Sequence, residues 1–410
     1  MEPWLERAAG LRPERVALEA PDGTRTYTEL LASARRAAGA LAVRGVRPGD
    51  RVAITLPPGI AFAEALHGCL LMGAAAMPVD LRLADRERAA VLGQAADLVV
   101  DAPLEGGGPF EPGEGTLVVH TSGTTGAPRP VELTLGNVLA NALGTAVALG
   151  LDREQRWLCP LPLSHVGGLM VLLRSAVYGT TAVLGPPDRD DVTLASLVPT
   201  MLSRLLDAGA PPPPRLRAVL LGGAPADRTL LARARDAGWP VAPSYGLTQT
   251  CSAATIGETG DVETCGRALP GVTVAVASDG EILVAGPSVA GGGPLATGDL
   301  GRLDARGRLV VTGRKTDTIV SGGENVAPAE VEAVLLEHPA VAEAGVFARP
   351  HPEWGEAVTA RVVLRSSVTE GELREWAGER LARYKVPKTI EVAEALPRTA
   401  SGKLLRRELA

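Results

Sequence analysis

The chain reads as an α/β protein with a parallel sheet, followed by a β-rich layer and an α+β tail. Three observations predict this class. Apolar strand-like runs alternate with amphipathic helical patterns up to about residue 250, which is the βαβ rhythm. From about 264 to 312 that rhythm gives way to short strands separated by glycine turns. Beyond Arg314 to Asp317 a proline-started helix opens a mixed α+β pattern.

Taken in order, Thr26 is expected to open a helix to about Val43, with Leu30, Ala34, Ala37, Ala38 and Leu41 on one face. Gly45 and Pro48-Gly49-Asp50 end it, and Arg51 to Leu56 reads as a buried strand. A second helix (Ile60 to Met72) and a short strand (Ala75 to Val79) follow. Residues 103–115, rich in glycine and proline, read as a mobile linker. Helices are expected over Leu135 to Leu149, over Leu169 to Val177 and near Leu194 to Asp207. Strands are expected near Ala182 to Leu184, at Ala218 to Leu221 and from Val241, and the prolines at 211–214 form a stiff connector. Val272 to Val276, Glu281 to Val284 and Arg308 to Val311 suggest a small β-barrel or antiparallel layer. The helix begun at Pro328 stops before Pro339.

Composition narrows the function. Of the residues, 46% are apolar and 21% charged, as in an ordinary soluble globular protein. The net charge of −6, without long runs of one sign, gives no footprint for nucleic acid or an anionic membrane. Cys69, Cys159, Cys251 and Cys265 form no metal-type pair and read as reduced thiols of a cytoplasmic protein. The N-terminus shows no signal-peptide pattern, and the longest apolar tract is interrupted by Glu64, His67, Gly73 and Pro78. Only four basic residues are lysines (Lys315, Lys385, Lys388 and Lys403), against 41 lysines and arginines together. A lysine in this chain is therefore an informative choice.

The chemistry-bearing stretch is His120-Thr121-Ser122-Gly123-Thr124-Thr125-Gly126-Ala127-Pro128-Arg129. Backbone N–H groups freed by two glycines, four Thr/Ser hydroxyls and the Arg129 cation suit a polyphosphate held between a strand and a helix. The alternative is a Gly/Thr-rich surface turn. Four further polar stretches follow strand-like runs. They are Gly222-Gly223-Ala224-Pro225, Ser244-Tyr245-Gly246-Leu247-Thr248-Gln249-Thr250, Thr297-Gly298-Asp299 and Gly313-Arg314. In open α/β sheets ligands gather at strand carboxyl ends, so these could converge on one nucleotide. Tyr245 can stack on a base, Asp299 can accept from ribose hydroxyls, and Arg314 can bind hydroxyls or phosphate. Taken singly, Tyr245 reads as well as core or surface, and Asp299 as a turn residue.

In their joint order these stretches resemble the adenylate-forming acyl-CoA synthetase superfamily over nearly the whole chain. Thr121 to Gly126 is similar to its phosphate loop, Ser244 to Thr248 to its adenine motif, and Asp299 and Arg314 to its ribose motifs. Ser321-Gly322-Gly323-Glu324-Asn325 is similar to its thiol-tunnel loop, and Pro397 to Lys403 to its catalytic-lysine motif. The resemblance implies a large N-terminal domain (1–314) of two α/β subdomains plus a small β-barrel, and a small mobile C-terminal domain (315–410). It implies ATP, Mg²⁺ and coenzyme A as cofactor and substrates, with a carboxylic acid made first into an acyl-adenylate and then into a thioester. Lys403 and Thr248 would be catalytic, and Gly222, Gly223 and Ala224 would lie against the adenylate. His165 would be catalytic or line the acyl pocket, although a satisfied core histidine fits the residues equally. Within the superfamily, Leu161 to Leu169 and Leu173 to Gly179 resemble the o-succinylbenzoate–CoA ligases. Arg174, in an otherwise apolar helix, is either a partly buried cation or the partner of a second substrate carboxylate. Partners are small molecules only, with a homodimer left open.

The chain also departs from that pattern. Gln249 stands where relatives carry a Mg²⁺-binding Glu, and Arg129-Pro130 replaces Lys-Gly. The stretch 81–115 is shortened. Two rivals therefore stand beside an o-succinylbenzoate ligase: a ligase for another aryl or fatty acid, and a nucleotide- or CoA-binding protein impaired in adenylation.

Overall fold

The structure is a computed structural model and describes residues 4–93, 96–121, 129–187, 189–398 and 404–409. Four sheets organise the chain. The largest has nine strands, six of them mutually parallel: Val16–Ala20, Thr181–Leu184, Arg156–Cys159, Leu194–Leu197, Ala218–Leu221 and Val241–Leu247. Gly23–Thr26 closes one edge, and Ser252–Ile256 with Arg267–Ala268 the other, all antiparallel. A second, five-stranded sheet orders Leu98–Val100, Arg51–Ile54, Ala75–Pro78, Thr116–Thr121 and Arg129–Thr134, with only the last antiparallel. One hydrophobic cluster, containing Ile54, Leu66, Trp157 and Leu169, joins these two sheets across their helices. A four-stranded antiparallel sheet, Thr273–Val276 to Leu309–Arg314, follows. The C-terminal sheet has its own core around Val346, Val358 and Leu335. The expected architecture is found: a large N-terminal part of two α/β sheets with a small β layer, then a small α+β part.

Local chemistry explains the element boundaries. Thr26 caps the helix Tyr27–Val43 with a reciprocal Glu29 bond, and Thr134 with Asn137 does the same for Leu135–Leu149. The buried face of Ile60–Leu71 is almost entirely small or apolar, so it lies between a sheet and the helix Tyr27–Val43. No helix among the described residues is long and apolar enough to cross a membrane.

Three expectations are corrected. Leu194–Leu197 is a fully buried parallel strand, and the helix starts only at Pro199. The residue before a proline is pushed out of the helical region, so Val198 (ψ 158°) ends the strand and Pro199 takes the first helical position. The phosphate stretch runs from strand to strand, since Thr121 pairs with Arg129 and His120 with Pro130 in an antiparallel ladder. Pro130 is tolerated there because Arg129–Thr134 is an edge strand. The 103–115 stretch lacks regular structure but is packed down. The Gly113 N–H donates to the Leu71 carbonyl at 2.9 Å, and Leu104 and Phe110 lie against the main core.

Backbone contact requires glycine at the crossing of that stretch with the Tyr27–Val43 helix. A Cβ at Gly39 would sit 2.3 Å from the Gly108 carbonyl oxygen and 2.5 Å from its nitrogen. Gly39→Ala should destabilise the fold by about 1–3 kcal/mol, measured by thermal denaturation. Gly10→Ala, with nothing within 4 Å of the new methyl, should not destabilise it. Equal behaviour of the two variants would mean that the packed stretch yields freely.

Candidate active site

The site is built where strands run past the carboxyl edge of the large sheet. Val241–Leu247 pairs in parallel with Ala218–Leu221 only through Pro243, then continues beyond it. There the Ser244 hydroxyl donates to the Leu221 carbonyl at 2.9 Å, and a Cβ at Gly222 would fall 2.7 Å from that same hydroxyl. Gly222 and Gly223 (φ +80°) therefore let the two strand ends close on each other. Ala224 follows in the same turn.

At Gly246 the strand meets its antiparallel neighbour so closely that a Cβ would lie 1.9 Å from the Ser252 carbonyl oxygen. Thr248–Thr250 then forms a 3₁₀ turn that ends in two non-glycine residues with positive φ, Cys251 (55°) and Ser252 (102°). Such backbone persists only where its surroundings over-determine it. Here the Thr250 hydroxyl bonds the Leu247 and Ser252 carbonyls, and the Asn141 amide bonds the Thr250 and Ala253 carbonyls. Gln249 is half-buried, and its carbonyl accepts from Ala290 N–H at 2.8 Å.

Tyr245, Asp299 and Arg314 come together. The Tyr245 hydroxyl donates to Asp299 Oδ2 at 2.9 Å, and Arg314 Nε donates to Asp299 Oδ1 at 2.7 Å. Burial foremost, and the Asp299 charge beside it, push the Tyr245 phenol above its usual range, so it stays a neutral donor. The ring packs with Ala254, Ile282 and Val284, and with 8% of the residue exposed a base could reach only a small part of it. Each Asp299 oxygen keeps a lone pair beyond these bonds, so ribose hydroxyls can still donate to it. Next to it the Gly298 N–H donates to Glu281, whose other oxygen holds Lys315 Nζ at 2.7 Å. Hydrogen bonds to Asp279 first and Glu281 second push the Lys315 ammonium up to about 12.

His165 caps the helix Val166–Tyr178, where Gly168 lets that helix settle on the preceding loop; a Cβ there would meet the Pro162 carbonyl at 2.4 Å. Its Nε2 lies 3.3 Å from both Asp80 Oδ2 and Arg82 Nη2. Arg82 grips Asp80 with a two-pronged fork, Nε to Oδ1 at 2.9 Å and Nη2 to Oδ2 at 2.6 Å. Asp80 and Arg82 escaped the sequence reading. Asp80 sits just past the end of the strand Ala75–Pro78, the same placement rule that found the other stretches.

Arg174 is fully buried. Its Nη2 donates to Asn141 Oδ1 at 2.6 Å and its carbon lies 5.4 Å from the Trp157 ring centre, while Nε and Nη1 have no hydrogen-bond partner. Desolvation lowers its pKa, against the pull of Tyr178 and Cys251. Thr121 accompanies Arg129 across the hairpin, its hydroxyl 3.3 Å from the Arg129 carbonyl. Gly322 and Gly323 (φ +60° and +85°) turn the hairpin between Ile319–Ser321 and Glu324–Val326. The face of Gly322 lies on Trp354, where a Cβ would meet the ring at 2.9 Å. Ser122, Gly123, Thr124, Thr125, Gly126 and Lys403 lie outside the described residues, as does the Asn325 side chain.

Parallel-sheet strand ends, two convergent glycine turns and a Tyr–Asp–Arg set define a nucleotide-binding α/β enzyme. The comparisons name its family. A profile described as AMP-binding enzyme matches residues 5–106 and 97–292, and one described as AMP-binding enzyme C-terminal domain matches 330–403. The chain belongs to the AMP-binding enzyme family. It is 38% identical to the 2-succinylbenzoate–CoA ligase of Bacillus subtilis (strain 168), over 99% of this chain and 97% of that protein. That alignment spans 471 residues, more than this chain's own 410, so the shortening is internal. It is also similar, at 37% identity and TM-score 0.91, to the o-succinylbenzoate CoA synthetase (MenE) of Bacillus subtilis in complex with the acyl-adenylate intermediate OSB-AMP, over 100% of this chain and 98% of the other. With that synthetase bound to ATP and magnesium ion the TM-score is 0.90, over 99% of both chains. With a double mutant of it bound to the product analogue OSB-NCoA the score is 0.73.

Asp80 gives a test in pH. Burial works against its charge, but hydrogen bonds from Arg82 and His165 outweigh that and hold the carboxyl well below the usual range. A depressed carboxylate contributes stability that is present above its unfolded pKa of about 4 and is lost as pH falls toward the folded value. Asp80→Asn should therefore flatten the acid limb of the stability curve below about pH 4. Melting temperatures of both proteins from neutral to acid pH measure it, and parallel limbs would remove Asp80 from that role.

Proposed function

We propose that the chain is an ATP-dependent acid–CoA ligase acting on 2-succinylbenzoate. The observation that carries this reading is the hydrogen-bonded Tyr245–Asp299–Arg314 set beyond the sheet's carboxyl edge, in a chain similar along its whole length to ligases of that name. The substrate carboxylate attacks the α-phosphate of ATP, pyrophosphate leaves, and an acyl-adenylate results. The thiol of coenzyme A then attacks the acyl carbon and AMP leaves. The first step brings two anions together, so it needs positive charge and aligned donors more than proton transfer. Lys403 supplies a compact charge there, with Thr121 to Gly126 and Arg129 on the phosphates and Thr248 beside the adenylate. His165, held over the Asp80–Arg82 fork, lines the acyl pocket.

Among the described residues no three His, Cys, Asp or Glu side chains gather into a metal cage. Gln249 would be the side chain that offers a Mg²⁺ one neutral oxygen, and the ion would supply positive charge to the phosphates. The domain boundary falls at Arg314, where the antiparallel sheet ends and the turn Lys315–Asp317 begins. A swing about that turn would exchange Lys403 for the Gly322–Asn325 hairpin between the two steps. The four free cysteines support a reducing, cytoplasmic location.

A pyrophosphate-release assay over a panel of acids tests the reading. Release is expected with 2-succinylbenzoate and ATP, whereas release only with benzoates or fatty acids would sink the substrate. Lys403→Ala should abolish adenylation and spare thioester formation from supplied acyl-adenylate. Equal loss of both steps would contradict the two-step exchange.

Arg174 is the proposed partner of the second carboxylate, because a buried guanidinium with two unmet nitrogens can be completed by an anion. Arg174→Met should lower kcat/KM for 2-succinylbenzoate by ~10- to 100-fold, the loss of a charged hydrogen bond. It should leave the melting temperature unchanged or higher, because an uncompensated buried charge is removed. An equal loss with monocarboxylates would place Arg174 outside the recognition of the second carboxylate.

A further inference from the structure

Arg406 follows Lys403 by three residues, and its surroundings are built with more care than a surface tail needs. Its Nη2 donates to Glu332 Oε2 at 2.6 Å. Glu332, on the helix Pro328–Leu336, has 13% of its side chain exposed, and its other oxygen accepts the Val346 N–H at 2.7 Å. Burial raises its pKa despite Arg406, so the pair sits where charge is costly and is kept for more than raw stability. The second arm of the same guanidinium, Nε, is buried without a hydrogen-bond partner and lies 3.7 Å from Asp317 Oδ2.

Asp317 closes the turn Lys315–Asp317, whose first residue is bound to Asp279 and Glu281 of the four-stranded sheet. One guanidinium thus faces the helix of the C-terminal part through one arm and the turn joining the two parts through the other. The described residues on either side of 399–403 are tied to each other and to the sheet as well. Leu405 N–H donates to the Pro397 carbonyl at 2.9 Å, Arg398 bridges to Leu404, and Arg398 Nη2 holds Glu343 at 2.6 Å.

We infer that Arg406 is a positioning residue for adenylation, tying the Lys403 segment to Glu332 and to the interdomain turn at Asp317. This inference rests on the proposed role of Lys403. The fork is what does it: one planar group reaches two carboxylates on different elements, which an ammonium on a flexible stem cannot do in fixed geometry.

The test compares half-reactions in the full chain carrying Arg406→Lys or Asp317→Asn. Pyrophosphate exchange with the acid and ATP should fall ~10- to 100-fold for Arg406→Lys and by less for Asp317→Asn, the effect of a misplaced charge. Thioester formation from supplied acyl-adenylate should stay within about twofold. In a Lys403→Ala background neither substitution should cost anything further, because a residue that acts through Lys403 has nothing left to position. Equal loss of both half-reactions, or losses that add to that of Lys403→Ala, would make Arg406 a structural residue and overturn the inference. Should Arg406→Lys fail to fold, Asp317→Asn alone decides, since unchanged exchange would overturn it. Lys403→Ala with full exchange would instead sink the functional reading, and this inference with it. Loss in Lys403→Ala beside normal exchange in Arg406→Lys would sink this inference only.

Discussion

Asp299 is the point on which the site depends, because its carboxylate joins pieces of chain that reach it from different layers. Tyr245 arrives from the parallel sheet, and Arg314 from the end of the antiparallel one. Its neighbour Gly298 is held by Glu281, which also holds Lys315 at the start of the turn to the C-terminal sheet. A phenol on one oxygen and a guanidinium on the other satisfy a carboxylate that is only 6% exposed. A nucleotide that engages Asp299 therefore touches the same few bonds that join the sheets, which links occupancy of the site to the base of the turn.

Charge is handled in two contrasting ways. In partly exposed positions arginines pair with carboxylates in the ordinary manner, as Arg156 and Arg189 do with Glu19 and Asp191. Inside, Arg174 is left with a single neutral partner, the amide oxygen of Asn141. That is a poor arrangement for stability, and the proposed role of Arg174 toward a substrate carboxylate draws on it. The same Asn141 pins the strained turn after Thr248, so the cation and the backbone that follows Tyr245 share a support.

Much of this was legible in the sequence, for identifiable reasons. Helices with caps and a clear apolar face, such as Tyr27–Val43 and Leu135–Leu149, announce themselves through local chemistry. The strand-end rule led to Ser244, Tyr245 and Asp299 because a polar stretch after an apolar run is visible in one dimension. What failed were features decided by distant partners. Leu194–Leu197 has a pattern that suits helix or buried strand alike, and only its place between two parallel neighbours settles the matter. The 103–115 stretch looked like free linker because nothing local reveals that Gly39 and Gly73 open contact faces for it. The Asp80–Arg82–His165 cluster joins residues 85 apart along the chain, and no spacing rule brings them together.

The departures from the family pattern then take on a physical sense. Pro130, which stands where the family pattern has glycine, occupies an edge strand, opposite His120 in the ladder. A proline there removes an N–H that an edge strand can spare, and it also blunts the edge against pairing with another chain. The loss of function it suggested therefore weakens, and with it the reading of the chain as an impaired binder. Gln249 is different, because it lies in the turn between Tyr245 and the two residues of positive φ, inside the site itself. A neutral amide there keeps an oxygen for a cation but adds no charge to a neighbourhood where Arg174 already lacks an anion. Of Pro130 and Gln249, it is Gln249 on which the proposed metal role depends.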